Sequence, residues 1–461
     1  MRFLNTFGNQ VQEFSSREPG KVYLYTCGPT VHDRAHIGNF RTFLFEDLLR
    51  RYLAYQGYDV KHVMNITDVD DKTILKARKQ GLSLRDYTEI YTQKFFEDRD
   101  LLRILPAHLY PRATDHVPEM IEMIRKLLEN GHAYTSRDSV YFRLTTFPAY
   151  GKLSGIDTGS LIDGYRIDSD EYSKESPKDF VLWKGAREDE DWWDSPFGKG
   201  RPGWHIECSA MSFKYLGNPI DIHCGGVDNI FPHHENEIAQ SEAALGSTFV
   251  NTWLHSAHLI VEGEKMAKSK GNFFTVRDLV EEGNDALVLR YLLMSVHYRK
   301  QLNFGEDTLM QAKGSLSRLK DFLYRLKNET FSEGKSPEVE TLVKNALQSF
   351  EEAMSDDLNI SGALAAMFEL IRDVNKVADS KNFPAGNIPS VQAAIRKMDQ
   401  VFGIAVFPED SVSDEIESWI EKRNNARRKK DFRTADEIRQ TLLKQGIVLE
   451  DTTSGTRWKK A

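Results

Sequence analysis

Cysteine is scarce: the chain has three among 461 residues, Cys27, Cys208 and Cys224. Three thiols in so long a chain are not a disulfide framework, so each reads as a core residue, a metal ligand or a nucleophile. Long apolar runs are also missing. None approaches the roughly 18 residues that a membrane-spanning helix needs, and no membrane partner is expected. The N-terminal Met1-Arg2-Phe3-Leu4-Asn5 lacks the apolar stretch of a secretory signal, so a cytoplasmic location is expected. There is no internal repeat and no low-complexity tract, which excludes solenoids and fibrous arrays. The remainder is ordinary globular composition, 40% hydrophobic and 28% charged, in a length that suits about three domains.

The net charge of −8 is unevenly spread. From Glu421 to Ala461 twelve basic residues stand against six acidic ones, which leaves residues 1–420 with −14. A basic end on an acidic protein suggests an anionic partner, nucleic acid among the candidates. A solvated, salt-bridged helix face would have the same composition.

The run Lys21-Val22-Tyr23-Leu24-Tyr25-Thr26 has the β-branched and aromatic content of a buried strand, and Cys27 ends it before Gly28-Pro29. Phe40, Phe43, Leu44, Leu48 and Tyr52 then share one helical face, and Val60 to Ile66 reads as a second strand. This is a β-α-β unit, and in open parallel sheets the ligand crevice lies beyond the carboxyl ends of the strands. Cys27 and the following His36-Ile37-Gly38-Asn39 are therefore delivered to that crevice.

Two further clusters carry chemistry. Ile206 to Met211 reads as a helical turn bearing Cys208. After Cys224-Gly225-Gly226, the stretch Pro232-His233-His234-Glu235-Asn236-Glu237 reads as a helix start, Pro232 suiting its first turn. His233 and Glu237 are i and i+4, and His234 is i, i+3 to Glu237, so spacing leaves either histidine open. With Cys27 and Cys208 the set offers two sulfurs, a nitrogen and an oxygen, which suits zinc. Each thiol alone reads more readily as core; the shared crevice sets the group apart. Cys224 is expected to be a small core residue. In Lys265-Met266-Ala267-Lys268-Ser269-Lys270, lysines alternate with small residues ahead of Gly271, a loop able to bring positive charge to a polyphosphate. His36-Ile37-Gly38-Asn39 at a helix N-terminus favours anions as well.

Residues 1–115 read as the first half of an α/β sheet domain, 116–200 as an irregular insertion, and 201–310 as the second half. Leu316, Leu319, Leu323 and Leu326, and again Leu364, Met367, Phe368 and Ile371, recur at helical spacing, so 311–406 reads as a helical bundle. Thr330 to Pro337 and Phe407 to Ser413 are candidate linkers. Residues 414–461 combine a charged helix, Asp414 to Gln445, with an apolar strand at Gly446 to Leu449.

Taken together, these residues resemble the class I aminoacyl-tRNA synthetases, and within that class the cysteinyl-tRNA synthetase family. The carrying segments are Cys27 to Asp33 with His36-Ile37-Gly38-Asn39, Asn65 to Lys72, Gly203 to Met211, Phe231 to Glu237, and Lys265 to Ser269. The resemblance covers nearly the whole chain. It implies a Rossmann-like parallel-sheet catalytic domain with an insertion, an α-helical anticodon-binding bundle marked by Asp356-Asp357-Leu358-Asn359, and a small basic C-terminal α+β tRNA-binding segment. It implies one zinc held by Cys27, Cys208, His233 and Glu237, an amino-acid pocket lined by Thr67 and Trp204, and ATP contacts from His36 and Asn39. Gly226 and Asp228 would meet the nucleoside. Lys265 and Lys268 would stabilise the leaving pyrophosphate with Mg²⁺. The implied partners are cysteine tRNA, L-cysteine and ATP, and a monomer is expected.

Two positions depart from the family pattern. Asn39 stands where the first nucleotide signature usually ends in His, and Ala267 stands where the second usually has Ser. A paralogous ligase that joins cysteine to an amino sugar would share the zinc and nucleotide residues but lacks a counterpart of residues 310–461.

Overall fold

The structure, a computed structural model, describes residues 1–156, 176, 178–187, 191–266, 271–408, 414–428, 431–444, 446–452 and 455–460. The chain divides into two compact units, residues 1–317 with 331–404, and residues 318–330 with 405–461.

The first unit opens with an antiparallel hairpin, β1 (Arg2–Asn5) and β2 (Gln10–Glu13). Strand β3 (Lys21–Thr26), helix α1 (Ile37–Tyr55) and strand β4 (Asp59–Met64) follow as the expected β-α-β unit. β3 and β4 pair in parallel from Lys21↔Asp59 to Thr26↔Met64. The face of α1 read from its spacing, Phe40, Phe43, Leu44, Leu48 and Tyr52, is buried. After α2 (Asp71–Lys79), α3 (Leu84–Leu101) and α4 (Val117–Glu129), four strands form an antiparallel sheet in chain order: β5 (Ala133–Ser136), β6 (Ser139–Phe142), β7 (Phe180–Gly185) and β8 (Gly200–Pro202). The segment expected to be irregular thus carries a regular helix and sheet. Its strands are short, and β7 is buried at every residue, so no two-residue alternation marks it. The acidic run Glu188-Asp189-Glu190 lies outside the described residues.

Helix α5 (Trp204–Leu216) leads into β9 (Ile220–Gly226). A single turn, α6 (Val227–Asn229), and a kinked segment, Ile230–His234, precede α7 (Glu235–Leu245) and β10 (Val250–Ser256). Pro232 therefore sits in the kinked segment rather than in the first turn of α7. The central sheet is wholly parallel in the order β10-β9-β3-β4. The chain leaves β3 for β4 on one side and returns as β9 on the other. Such a reversal opens a crevice at the carboxyl ends of the two central strands.

A small sheet follows, β11 (Leu259–Val261), β12 (Glu264–Lys265) and β13 (Leu302–Phe304), with α8 (Val276–Glu281) and α9 (Ala286–Met294) between the last two strands. Helices α10 (Glu306–Asn328), α11 (Pro337–Ser355), α12 (Ile360–Asp379) and α13 (Ile388–Phe402) come next. Phe350 and Met354 of α11, Leu364 and Met367 of α12 and Ile395 and Met398 of α13 are buried. Arg290 on α9 ties α1 to the end of α13. It pairs with Asp47 at 2.7 Å and donates to the Phe402 carbonyl at 2.7 Å and the Leu102 carbonyl at 2.8 Å.

In the second unit the single charged helix expected from 414 to 445 is two, α14 (Asp414–Arg428) and α15 (Phe432–Lys444). Asp431 breaks the run by capping: its carboxylate accepts from the Thr434 N–H at 3.2 Å. The expected apolar strand is β14 (Ile447–Thr452), paired antiparallel with a strand the sequence reading lacked, β15 (Gly455–Lys460). Ile438, Leu442, Ile447 and Leu449 form a core flanked by Trp419, Ile420 and Trp458. Among the described residues no helix is long and apolar enough to cross a membrane.

Candidate active site

The crevice collects side chains from four strand ends and two helix starts. Cys27 immediately follows β3, and its N–H donates to the Cys224 carbonyl on β9 at 3.2 Å, closing the seam between the two central strands. Gly28 is required by close approach: a Cβ there would lie 1.7 Å from the Asn65 carbonyl oxygen. Asn65 and Thr67 continue from β4, Asp228 follows β9, and Trp204 and Cys208 come from the start of α5. Cys27, Thr67, Cys208, Trp204, His233, His36, Asn39, Gly226, Asp228 and Lys265 all line one open cleft of about 540 Å³. Glu237 lies fully buried next to Cys27 and His233. Lys268 and Ala267 lie outside the described residues. Cys224 is fully buried, as a core residue would be.

Glu237 organises the buried side. Its Oε1 lies 2.9 Å from His233 Nε2 and 3.9 Å from Cys27 Sγ, and its Oε2 lies 3.0 Å from His223 Nε2. Among the described residues two four-donor sets result, Cys27/Cys208/His233/Glu237 and Cys27/His223/His234/Glu237, each with all ligand atoms within 4.8 Å of one another. Both histidines left open by spacing are thus near Glu237. They differ in position. His234 Nε2 lies 3.3 Å from Cys27 Sγ with its Nδ1 held by His255 at 2.7 Å, and His223 is stacked on Trp253, but neither is among the residues that line the cleft. In the other set Cys27, Cys208 and His233 border the cleft. Its two thiols, imidazole and carboxylate match the preferences of zinc, and three of the four donors border the cleft, where a ligand can reach them. The residues present fit the metal.

Protonation follows from burial and pairing. Burial pushes the Glu237 carboxyl up, but His223 and His233 outweigh it and bring it down to about 2. Burial pulls the His233 imidazole down, and Glu237 and Cys208 reverse this and raise it to about 10. The hydrogen bond from Cys27 brings the Cys208 thiol down to about 6 against the effect of burial. Burial pushes Cys27 well up. In the metal-free cluster the His233 imidazolium balances the charge on Glu237 and Cys208, a place a metal cation would take on displacing that proton.

At the other end of the cleft His36 caps α1. Asn39 N–H donates to His36 Nδ1 at 3.2 Å, and His36 N–H donates to Asn39 Oδ1 at 3.1 Å. The cap occupies the oxygen of Asn39 and leaves its amide nitrogen able to donate. Gly38 allows the tight turn, since a Cβ there would meet His36 Nδ1 at 2.9 Å. The Ile37 N–H donates to the Phe274 carbonyl at 3.0 Å, and His36 packs edge-on against Phe273. The first nucleotide signature is thereby joined to the chain just beyond the lysine-rich loop. Lys265 is held in β12 opposite Ile260, and Asp228 pairs with His258 at 3.2 Å.

The sequence reading missed the histidines behind the metal donors. His205 Nδ1 lies 2.8 Å from His233 Nδ1, and His255 Nδ1 lies 2.8 Å from Thr6 Oγ1. With His223 and His234 they form a packed imidazole layer. His223 lies within β9 and His255 near the carboxyl end of β10, and the sequence reading gave neither a role. Glu207 was also passed over, although a carboxylate next to Cys208 on an inward-facing helix is itself unusual.

A parallel sheet with this reversal, a helix N-terminus at its crevice and an antiparallel insertion define the catalytic fold of the class I aminoacyl-tRNA synthetases. The Mycobacterium tuberculosis methionyl-tRNA synthetase bound by methionyl-adenylate superposes with a TM-score of 0.63 at 15% identity, over 83% of this chain and 92% of that one. The Agrobacterium radiobacter K84 LeuRS–tRNA–LeuAMS complex gives 0.61 at 11%, over 85% of each chain. The class I (C) tRNA synthetase catalytic domain matches residues 13–314, a DALR domain matches 349–407, and the cysteinyl-tRNA ligase anticodon-binding domain matches 409–458. The cysteine–tRNA ligase of Solibacter usitatus (strain Ellin6076) is 49% identical over 463 residues, covering 100% of this chain and 99% of the relative. That of Chlamydia muridarum (strain MoPn / Nigg) is 48% identical over 470 residues, covering 99% and 98%. The chain belongs to the cysteine–tRNA ligase family.

Proposed function

We propose that the protein activates L-cysteine with ATP, giving cysteinyl-adenylate, and passes the acyl group to the 3′-terminal adenosine of cysteine tRNA, with zinc reading the substrate thiol. The observation that carries this reading is the cleft itself. A thiol-rich donor set borders one end and a capped helix N-terminus the other, so one small molecule can meet both.

Cys27, Cys208, His233 and Glu237 would hold the zinc. Bound there, the ion prefers thiolate over hydroxyl oxygen and supplies the distinction between cysteine and serine. Shape alone would serve poorly, because an apolar pocket separates substrates differing by one small group by only roughly 10–200-fold. Trp204 stacks on His233 at 4.2 Å and is part exposed, so it can close over the bound side chain. Thr67 would meet the backbone end of the amino acid.

The substrate carboxylate is already a nucleophile toward the α-phosphate, so the first step needs no protein base. The protein's part is positioning and charge stabilisation. His36 and the N-terminus of α1 face the phosphates, with the Asn39 amide nitrogen as a donor. Lys265 and Lys268 would neutralise the charge growing on the pyrophosphate, with Mg²⁺. Gly226 and Asp228 would lie against the nucleoside. We assign residues 1–115 and 201–310 to the two halves of the catalytic domain and 116–200 to the insertion. We assign 311–406, which includes the DALR match, to an anticodon-binding bundle and 414–461, most of which matches the family's anticodon-binding domain, to a basic tRNA-binding segment.

ATP–pyrophosphate exchange with each of the twenty amino acids tests the reading. Exchange should depend on cysteine and proceed with serine at a far lower rate. Exchange driven equally by serine would refute the thiol-reading role.

A further inference from the structure

We propose that Arg34 is a further substrate-binding residue, a guanidinium that grips the β- and γ-phosphates of ATP and stays with the leaving pyrophosphate. The proposal rests on the reading of the cleft as an amino-acid activation site. It adds a cation that belongs to neither nucleotide signature.

Arg34 stands just ahead of His36, the N-cap of α1, and borders the cleft. This is the end of the cleft where a helix N-terminus favours anions. The guanidinium is held from behind. Its Nη1 donates to both carboxylate oxygens of Asp98, at 3.2 Å and 3.4 Å. Asp98 lies on α3 with 0% of its side chain exposed, against 19% for Arg34. The anchor uses one nitrogen of the fork. Among the described residues Nε and Nη2 meet no protein acceptor, and neither is a buried polar atom. A planar fork fixed on one arm and open on the other suits phosphate oxygens.

Asp98 also joins the two chain segments at this end. The chain that leaves the lysine-rich loop pairs with the cap: Thr275 stands opposite His36, and the Phe274 carbonyl accepts from the Ile37 N–H at 3.0 Å. Arg277, at the start of α8, brings its Nε to 3.8 Å from Asp98 Oδ1. One buried carboxylate therefore meets a guanidinium from ahead of the cap and another from beyond the loop. Both segments are assigned to ATP, which favours the polyphosphate over a tRNA phosphate as the anion that Arg34 takes.

The anchor matters energetically. A free surface arginine gives up side-chain freedom when it takes a ligand. Arg34 has given up much of it to Asp98 already, so its open arm is placed before ATP arrives. The charge it offers would add to that of Lys265 and Lys268 on the growing negative charge of the pyrophosphate.

The test uses the full-length, metal-loaded protein. It reads the KM for ATP and for pyrophosphate in cysteine-dependent exchange, and inhibition by a sulfamoyl analogue of cysteinyl-adenylate, which has no β- or γ-phosphate. Arg34→Met should raise both KM values about tenfold, the scale of one hydrogen bond to a charged group. Inhibition by the analogue and the KM for cysteine should stay within roughly twofold, because neither ligand carries the phosphates that Arg34 meets. Arg34→Lys keeps a cation for Asp98 should Arg34→Met fold poorly. An ammonium lacks the second arm of the fork, so the same selective rise is expected, at smaller size. Equal weakening of ATP and the analogue in the folded variants would mark a purely structural ion pair and overturn the proposal, as would unchanged KM values for ATP and pyrophosphate. Normal exchange with impaired tRNA charging would assign Arg34 to the tRNA end and overturn it as well. Absence of cysteine-dependent exchange in the unsubstituted protein would instead refute the underlying reading.

Discussion

His233 Nε2 and Glu237 Oε1 stand 2.9 Å apart, one turn from each other along the chain and both buried. The two side chains meet across the junction where the kinked Ile230–His234 segment enters α7. The pairing gives them a common direction, toward Cys27 and Cys208.

The first prediction is one tightly bound zinc per chain. Cys208→Ser should lose most of it, because Cys208 belongs only to the set that borders the cleft. Metal analysis of purified protein checks this. Full retention in both Cys27→Ser and Cys208→Ser would remove the assignment.

The lysine-rich loop supplies the second. Lys268→Ala should cut adenylate formation by on the order of 10²–10³-fold, the usual loss on removing one charge stabiliser. The KM for cysteine should change little, since the lysine would face phosphate. Single-turnover measurement separates the two, and a defect confined to cysteine binding would contradict the role.

Stability of the first unit should depend on Arg290. Its guanidinium and the Asp47 carboxylate are both buried, with 1% and 0% of their side chains exposed. Arg290→Met would remove one of the two guanidinium partners of buried Asp47, leaving it Arg51, and leave two carbonyls unmet, costing about 3 kcal/mol in chemical denaturation. Burial pushes the Asp47 carboxyl up, but Arg290 and Arg51 outweigh it, so it stays below its ordinary value of 3.8. A depressed carboxyl stabilises the fold above its unfolded pKa and loses that contribution as the pH falls through the folded one. Asp47→Asn should therefore flatten the acid limb of the stability profile below about pH 4. An unchanged limb would show that the pair carries no such linkage.

Much of the central sheet was legible because its signals are local. The apolar run Val22–Tyr25, the face Phe40–Tyr52 and the break at Gly28-Pro29 each reflect one element and its neighbour. β15 was not legible: in Gly455-Thr456-Arg457-Trp458-Lys459-Lys460 only Trp458 is apolar, and pairing with β14 decides its state. The break between α14 and α15 depends on a cap at Asp431, easily overlooked within a charged stretch. The cleft gathers residues whose types already suggested metal and phosphate chemistry. The imidazole layer and Glu207 were hidden because their meaning lies in pairings across long sequence distances, such as His234 with His255 and Thr67 with Glu207.

The basic second unit yields the fourth prediction. Replacing Arg427, Arg428, Lys429 and Lys430 with neutral residues should weaken tRNA binding and lower the slope of log K against log salt by ~0.7–0.9 for each phosphate the protein no longer neutralises. Cysteine-dependent pyrophosphate exchange should be nearly unaffected, because every residue assigned to the amino acid and ATP precedes residue 273. Unchanged tRNA affinity and slope would mark the cluster as a solvated helix face.

Charging of total tRNA with labelled cysteine, followed by sequencing of the charged species, tests the central claim most directly. The account predicts ATP-dependent label on cysteine tRNA alone, abolished when the metal is stripped and regained when zinc is restored. Label on a different tRNA, or cysteine activation with no tRNA charged, would contradict it.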